Sequence, residues 1–242
     1  MLDETPPSPP TLPLKARAFL GGATTAYDLD CRRCPRLASF LDEVHEKYPH
    51  YWARPVASFG DQDARLLIVG LAPGLHGANA TGRPFTGDWC GPLLYSTLHR
   101  HGFATRPTSE HRNDGLELVD CRIANAVKCL PPANKPELDE IRRCNGYLAA
   151  ELATLPRLDA ILALGTIAHR AVVEACGSKA SVHRFAHHAR HAVQVGLQSG
   201  LQRGAVLFDS YHVSRYNTQT RRLTPAMFDA VLADIRSHLD SR

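Results

Sequence analysis

The sequence lacks any apolar run approaching the roughly 20 residues needed to span a bilayer. Residues 1–14 are rich in proline and have no apolar core, which is unlike a secretory signal peptide. The chain of 242 residues is 44% hydrophobic and 21% charged, a composition that excludes a disordered or collagen-like protein. We therefore expect a cytoplasmic protein without membrane association, with a flexible leader over 1–15 and a single domain over 16–242.

Acidic residues are scarce in one long segment, residues 175–228. Asp209 is the single acid there, although the whole chain is nearly balanced, with 28 basic and 24 acidic residues. Concentrated positive charge suits a polyanion such as nucleic acid, and a solvated basic face would give the same composition. The basic residues of the segment are Lys179, Arg184, Arg190, Arg203, Arg215, Arg221 and Arg222.

Two common nucleotide-binding motifs are absent from the glycine-rich segment 70–88. No Gly-Lys-Ser/Thr follows its glycines, and the pattern G-x-G-x-x-G does not occur. The glycines still allow a ligand to approach the backbone and accept hydrogen bonds from its N–H groups. Phe85 and Asp88 add an aromatic ring and a carboxylate to the segment. The structural alternatives are a core anchor for Phe85 and a helix N-cap for Asp88.

The seven cysteines do not form the two C-x2-C knuckles of a zinc ribbon, because only Cys31 and Cys34 have that spacing. Cys129 and Cys144 stand 15 positions apart, and thiolates are the usual ligands of zinc and of iron–sulfur clusters. From spacing alone, buried thiols and cluster ligands are equally good interpretations. The remaining cysteines fall within predicted helices or a strand and are expected in the core: Cys90, Cys121 and Cys176.

Short apolar strands alternate with helical segments along the chain. This order predicts an α/β fold with three layers (αβα), in which helices cover both faces of a central, mostly parallel four-stranded sheet. Strands are predicted over 65–70, within 116–127, and over 159–164 and 205–210, with a further strand over 192–197. Helices are predicted over 26–50 with a break at 31–35, and over 89–101, 136–155, 166–175 and 225–238.

Three unusual loops follow predicted strands, at 70–88, 128–135 and 211–223. Because ligands bind at the carboxyl ends of the strands in such sheets, these loops are expected to converge on one rim. Just before the second loop, the amide of Asn125 offers a donor and an acceptor, as reading a base edge requires. The third loop has one aromatic among polar and basic residues, a composition typical of a loop that grips phosphates and enters a groove.

Together these motifs resemble those of the iron–sulfur uracil-DNA glycosylases, specifically family 5 (type b). Two of the matching motifs lie in the glycine-rich segment, Gly-Leu-Ala-Pro-Gly from Gly70 and Thr-Gly-Arg-Pro-Phe-Thr-Gly-Asp ending at Asp88. Two more follow later strands, Lys-Cys-Leu-Pro-Pro-Ala-Asn-Lys-Pro from Lys128 and His-Val-Ser-Arg-Tyr-Asn-Thr-Gln-Thr from His212. The order of the cysteines also matches. Family 4 carries glutamate in place of Leu71. Two residues depart from the family pattern, Val213 for proline and Arg221 for a common glycine.

The resemblance implies an enzyme of base excision repair. It would flip uracil, and hypoxanthine as a further deaminated base, out of DNA and hydrolyse the N-glycosidic bond, leaving an abasic site. Asp88 would stabilise the sugar cation or position water, His212 would donate a hydrogen bond to the departing base, and Asn134 would assist. The implied substrate-binding residues are Gly70, Leu71, Gly74, Phe85 and Asn125.

The resemblance also implies a cofactor and DNA contacts. A [4Fe-4S] cluster would be held by Cys31, Cys34, Cys129 and Cys144. DNA would be contacted by Lys128, Ser214, Arg215, Asn217, Thr218, Arg221 and Arg222. We expect phosphate contact rather than Schiff-base chemistry from the lysines near these loops, and therefore a monofunctional enzyme. We also expect the protein to be a monomer.

Three alternatives stay open at this point. They are a non-catalytic iron–sulfur protein that binds nucleic acid, a uracil-specific glycosylase of the family 4 type and a zinc-dependent hydrolase. A group of histidines favours the last of these, but no carboxylate lies near it in sequence, so we interpret its members as surface residues. They are His183, His187, His188 and His191.

Overall fold

A computed structural model describes residues 28–197 and 199–242, so the leader predicted over 1–15 lies outside the described residues. Within these ranges the strands are β1 (Phe59–Gly60), β2 (Leu66–Gly70), β3 (Cys121–Asn125), β4 (Ala160–Leu164), β5 (Arg190–Gly196) and β6 (Gln202–Ser210). They form one six-stranded sheet in the order β1-β3-β2-β4-β6-β5.

The four inner strands of the sheet are parallel, and the two edge strands are antiparallel to their neighbours. The inner strands are the four predicted from sequence, and β5 is the further strand. The two-residue strand β1 was missed because so short a segment shows no periodicity. All residues of β2 and β4 are buried, as expected of parallel strands covered on both faces.

The helices of the described ranges are α1 (Pro35–Lys47), α2 (Ala78–Thr81), α3 (Cys90–Arg100), α4 (Leu138–Thr154), α5 (Thr166–Ala175), α6 (Arg215–Gln219) and α7 (Pro225–Asp240). The helix predicted before the break is wrong for residues 28–30, because α1 begins only at Pro35, after the cysteine pair, and residues 26–27 lie outside the described ranges. In α4 a capping box between Glu137 and Glu140 sets the start, two residues after the predicted one. No helix in this part of the chain is long and apolar enough to cross a membrane.

Helices cover both faces of the sheet, which confirms the three-layer αβα prediction. Leu66 and Ile68 point to one face, where they share a core cluster with residues of α3 and α7. Leu67 and Val69 point to the other face and pack with residues of α4 and α5. This alternation fixes the strand register and holds the strand ends that carry the site.

Candidate active site

Gly70, Phe85 and Asn125 form one wall of a candidate pocket at the carboxyl edge of the sheet. Gly70 ends β2 and lies in register with Asn125, which ends β3. A Cβ atom at Gly70 would lie 2.5 Å from both Asn125 Oδ1 and Phe85 Cζ, so glycine is required for the two side chains to meet there. Sequence reasoning placed these three residues together, and the structure does so.

The amide of Asn125 is buried without a complete set of partners. The residue is 4% exposed, and within the described ranges no donor reaches its Oδ1. A buried acceptor left without a hydrogen bond costs about 1–3 kcal/mol. Such a cost is tolerated at functional sites, where a bound molecule supplies the missing donor.

Phe85 is held rigidly in an uncommon backbone conformation. Its φ of 53° lies in the left-handed region, which costs of order 1–3 kcal/mol in a non-glycine residue. The preceding Arg83 is buried, pairs with Asp114 at 2.9 Å and donates to Thr86 Oγ1 at 3.0 Å. This buried network holds the backbone of the loop on both sides of Phe85.

The Asp88 carboxylate lies against the glycine turn of its own loop. A Cβ at Gly74 would lie 3.2 Å from Asp88 Oδ2, and one at Gly77 would overlap that oxygen. Asp88 Oδ1 accepts a hydrogen bond from the Cys90 N–H at 2.9 Å, at the start of α3. Burial raises the pKa of Asp88, while the N–H groups of Cys90 and Gly91 oppose the shift. One carboxylate oxygen thus holds the helix start, and the other faces the turn.

A Gly77→Ala substitution is expected to slow catalysis without removing any catalytic group. The new Cβ overlaps the carboxylate of Asp88 and displaces it. A displacement of about 1 Å at a reacting group can cost about 100-fold in rate. Gly146→Ala on α4 is the matched control, because a Cβ there meets nothing within 4 Å. Equal single-turnover rates for the two folded variants would show that the position of Asp88 does not matter.

His212 lies beside Phe85, just beyond the end of β6. The two ring centroids are 6.0 Å apart with an interplanar angle of 32°. Burial lowers the pKa of His212 to about 4, so the imidazole is neutral at pH 7 and carries one N–H. The Asn217 amide donates to the His212 backbone oxygen at 2.8 Å and holds this turn.

The segment 211–223 contains the short helix α6, which sequence reasoning missed. Ser214 caps it, because its hydroxyl oxygen accepts from the Asn217 N–H at 3.5 Å. Val213, which replaces the family's proline, is fully buried in the core. Arg221 has a φ of 56°, a left-handed conformation that glycine adopts without strain. That conformation accounts for the glycine common at this position.

Trp89 is a residue that sequence reasoning treated only as the start of a helix. It is 53% exposed, and its indole N–H donates to Thr218 Oγ1 at 3.0 Å. The Arg215 guanidinium lies 5.3 Å from the indole ring centroid. Trp89 therefore connects the loop that carries Asp88 to the segment that carries His212. The signal in the sequence that could have found Trp89 was its position next to the candidate carboxylate, Asp88.

Three further residues that were predicted for the site are Lys128, Asn134 and Leu71. Lys128 is 2% exposed and donates to Ser58 Oγ at 3.2 Å, which contradicts the predicted phosphate contact. Burial lowers the pKa of Lys128. Asn134 lies on an exposed 3-10 turn with a φ of 55°, and in the described chain its side chain has no hydrogen-bond partner. Leu71 is half-buried, and its backbone oxygen accepts from the Val127 N–H at 2.9 Å.

The basic segment divides into structural and exposed residues. Arg190 forms an ion pair with Asp234, and Arg203 donates to backbone carbonyls beyond α4. The exposed Arg222 lies over the Tyr211 ring, 4.6 Å from its centroid. The exposed arginines of segment 211–223, which also carries His212, are Arg215, Arg221 and Arg222.

Four cysteines line a single cavity between α1 and α4: Cys31, Cys34, Cys129 and Cys144. The Lys128 backbone N–H donates to Cys144 Sγ at 3.3 Å. Burial raises the pKa of Cys129, and the nearby cysteine thiols raise it further. Thiolates gathered in this way need a positive counter-charge, so the donor set fits an iron–sulfur cluster or another thiophilic metal.

Of the other cysteines, Cys121 is fully buried in β3, as predicted. Cys90 and Cys176 are half-buried and pack against the two main core clusters. Outside the lining of the cysteine cavity, Arg36 forms an ion pair with the buried Glu140 at 2.7 Å. That pair joins the start of α1 to the start of α4.

Comparison with known proteins shows the family to which the chain belongs. Residues 57–236 match the family model described as the uracil DNA glycosylase superfamily. A type-5 uracil-DNA glycosylase of Thermus thermophilus is 44% identical over 211 residues, which is 85% of this chain and 92% of that protein. A type-5 uracil-DNA glycosylase of Mycobacterium leprae is 40% identical over 230 residues, 89% of this chain and 96% of its own.

Similarity to type-4 enzymes is weaker and shorter. A type-4 uracil-DNA glycosylase of Pyrobaculum aerophilum is 33% identical over 153 residues, 62% of this chain and 63% of that protein. The chain belongs to the type-5 uracil-DNA glycosylases of the uracil DNA glycosylase superfamily.

Proposed function

We propose that this protein excises uracil from DNA by hydrolysing its N-glycosidic bond and leaves an abasic site. The observation that carries the proposal is that Phe85 lies beside both Asn125 and His212 at the carboxyl edge of the sheet, with Asp88 in the adjoining turn. An aromatic ring, a base-reading amide, a neutral donor and a carboxylate are the groups that such a reaction uses.

Asn125 explains how the pocket would select its base. Among the described residues no group donates to its Oδ1 acceptor, and uracil presents a ring N–H beside a carbonyl oxygen. The side-chain amide can accept from that N–H and donate to that oxygen at once. Phe85 would stack on the face of the flipped base. Cytosine presents an unprotonated ring nitrogen at the same edge, so it would leave the buried Oδ1 without a donor.

Cleavage places positive charge on the sugar and negative charge on the departing base. His212 is neutral at pH 7, and its one N–H can stabilise the base anion as a hydrogen-bond donor. The carboxyl group of Asp88 presents its Oδ2 to the glycine turn. We assign it to the stabilisation of the sugar cation and the positioning of the attacking water. We propose, as the resemblance implies, that Asn134 assists Asp88 and His212 in the cleavage.

We infer that the same edge recognition extends to hypoxanthine. This base also carries a ring N–H next to a carbonyl oxygen, whereas adenine does not. The test is a base-release panel on duplex oligonucleotides containing uracil, hypoxanthine, cytosine or adenine at one position. Release of the first two bases alone supports the proposal. Binding without release of any base would favour a non-catalytic nucleic-acid-binding protein.

The DNA-facing surface would be built from the segment 211–223 and Trp89. Tyr216 is 69% exposed between basic residues, so it can enter a groove while the arginines contact phosphates. Ser214 and Asn217 hold the backbone of this segment, and Thr218 holds Trp89. We propose that these three residues set the shape of the loop in addition to the DNA contacts that the resemblance implies.

Arg222→Ala and Arg221→Ala are each expected to weaken binding to all DNA sequences and to reduce the salt slope of binding by about 1. Both residues are exposed and near His212 in sequence. Arg157→Ala is a suitable control, because Arg157 lies beyond α4 in an exposed ion pair with Asp63. The measurement is the dissociation constant across a salt series. An unchanged slope in both variants would mean that these arginines form only a solvated face.

We propose that the four cavity cysteines hold a [4Fe-4S] cluster. The bound cluster would supply a rigid structural link between α1 and α4 beside the DNA surface. We expect brown protein with about four iron and four sulfide per chain. Cys144→Ser should lose the iron, whereas Cys176→Ser and Cys90→Ser should keep it. Colourless, zinc-containing protein after anaerobic purification would contradict the assignment.

A further inference from the structure

The fold gathers two histidines and an aspartate away from the proposed pocket. His169 lies on α5, His191 on β5 and Asp209 on β6, and β5 and β6 are paired. The sequence showed no carboxylate near the histidine group, so all of its members were interpreted as surface residues. For His191 that interpretation was wrong, because strand pairing brings Asp209 to it.

The three side chains present ligand atoms to one point. His169 Nδ1 lies 2.8 Å from Asp209 Oδ1, and His191 Nε2 lies 3.0 Å from Asp209 Oδ2. One ligand atom from each residue lies within 4.8 Å of the other two. His169 and Asp209 are 1% and 0% exposed, whereas His191 is 13% exposed and gives access from solvent.

The hydrogen bond made by His169 Nε2 determines what His169 Nδ1 can bind. His169 Nε2 lies 2.8 Å from the His183 backbone oxygen, so Nε2 carries a proton and donates it. The lone pair of Nδ1 then points at a carboxylate oxygen, which is also an acceptor. A positive species must sit between them, either a proton on the ring or a metal ion. Metal-ligating histidines characteristically donate their other ring N–H to a backbone carbonyl in this way.

We propose that His169 Nδ1, His191 Nε2 and the Asp209 carboxylate bind one Zn²⁺ ion. Two imidazoles and one carboxylate form a ligand set that zinc uses, with a fourth position left for water or another imidazole. The ring of His183 lies 5.5 Å from that of His191 and is close enough to serve. The ion would tie α5 to the β5–β6 edge, three residues before His212.

The test uses the purified holoprotein, with its iron content measured so that zinc in the cysteine cavity is recognised. Wild-type protein incubated with zinc and passed through a desalting column should retain one zinc per chain without losing iron. Its thermal midpoint should rise with zinc concentration, because the ion binds only the folded state. X-ray absorption at the zinc edge should show nitrogen and oxygen ligands.

Two variants decide the location. His191→Gln and Asp209→Asn should weaken zinc binding by more than about 100-fold, beyond the loss expected for an outer-sphere partner. His188→Gln is the matched control, since His188 lies in the same segment but faces Asp234. If Asp209→Asn fails to fold, the more accessible His191→Gln decides alone. No bound zinc, equal binding in the His191 and His188 variants, or sulfur ligands would each overturn the proposal.

Discussion

Replacing Asp88 with asparagine is expected to lower the single-turnover rate of uracil release by about 100-fold or more, with little change in DNA affinity. The reason is that an amide carries no negative charge to stabilise the sugar cation. Asp88 is the only acid between Asp63 and Glu110, and its Oδ2 faces the glycine turn. Because burial raises the pKa of Asp88, the acid limb of the wild-type rate profile should lie above the ordinary carboxyl value of 3.8.

The asparagine variant separates catalysis from helix capping. Asparagine caps a helix about as well as aspartate, so the Cys90 N–H keeps its acceptor and α3 keeps its start. Asp88→Ala should by contrast lose about 1 kcal/mol of stability as well. Glu110→Gln is the matched control, because that side chain is exposed at the surface. A nearly normal rate for Asp88→Asn would leave His212 and backbone donors as the whole catalytic machinery.

Removal of the His212 side chain should cost about 10²–10³-fold in the rate of base release, the typical loss of one donor to a developing anion. His212→Ala removes the imidazole N–H that we propose donates to the departing base, and it leaves Phe85 and Asn125 in place. Since its pKa is about 4, His212 should cause no fall in the wild-type rate between pH 8 and pH 6.

The matched control for this variant is His111→Ala, an exposed histidine outside the pocket. Melting curves of both variants should be compared, because His212 is half-buried and packs near Phe85. A rate within about threefold of wild type would mean that backbone N–H groups alone stabilise the base anion. A wild-type rate that rises as the pH is lowered from 8 to 6, and no longer does so in His212→Ala, would mean that the imidazolium is the active form.

The fold was predictable wherever local patterns and burial agree. The apolar run at Leu66–Gly70 is a buried parallel strand, and α5 spans its predicted range, Thr166–Ala175. The start of α7 was also predictable, because Thr224 caps the helix and Pro225 occupies its first position. Such features depend on neighbouring residues, which the sequence displays directly.

The remaining features depend on residues that are distant in sequence. Lys128 has the look of a phosphate ligand, yet it is buried near Ser58 and Glu151. The pairing of Trp89 with Thr218 spans 129 positions. Asp209 meets His169 only because β6 lies next to β4 and beneath α5. Tertiary packing decides each of these contacts, so no periodicity or spacing could have predicted them.

The central claim is that this pocket hydrolyses the N-glycosidic bond of uracil in DNA. The most direct measurement is a single-turnover reaction of the wild-type protein with a duplex oligonucleotide containing one uracil, in which free base and strand length are both followed. We predict one free uracil per oligonucleotide and an abasic strand that stays intact until alkali cleaves it. A uracil-containing strand recovered unchanged after prolonged incubation with iron-replete protein would contradict the account.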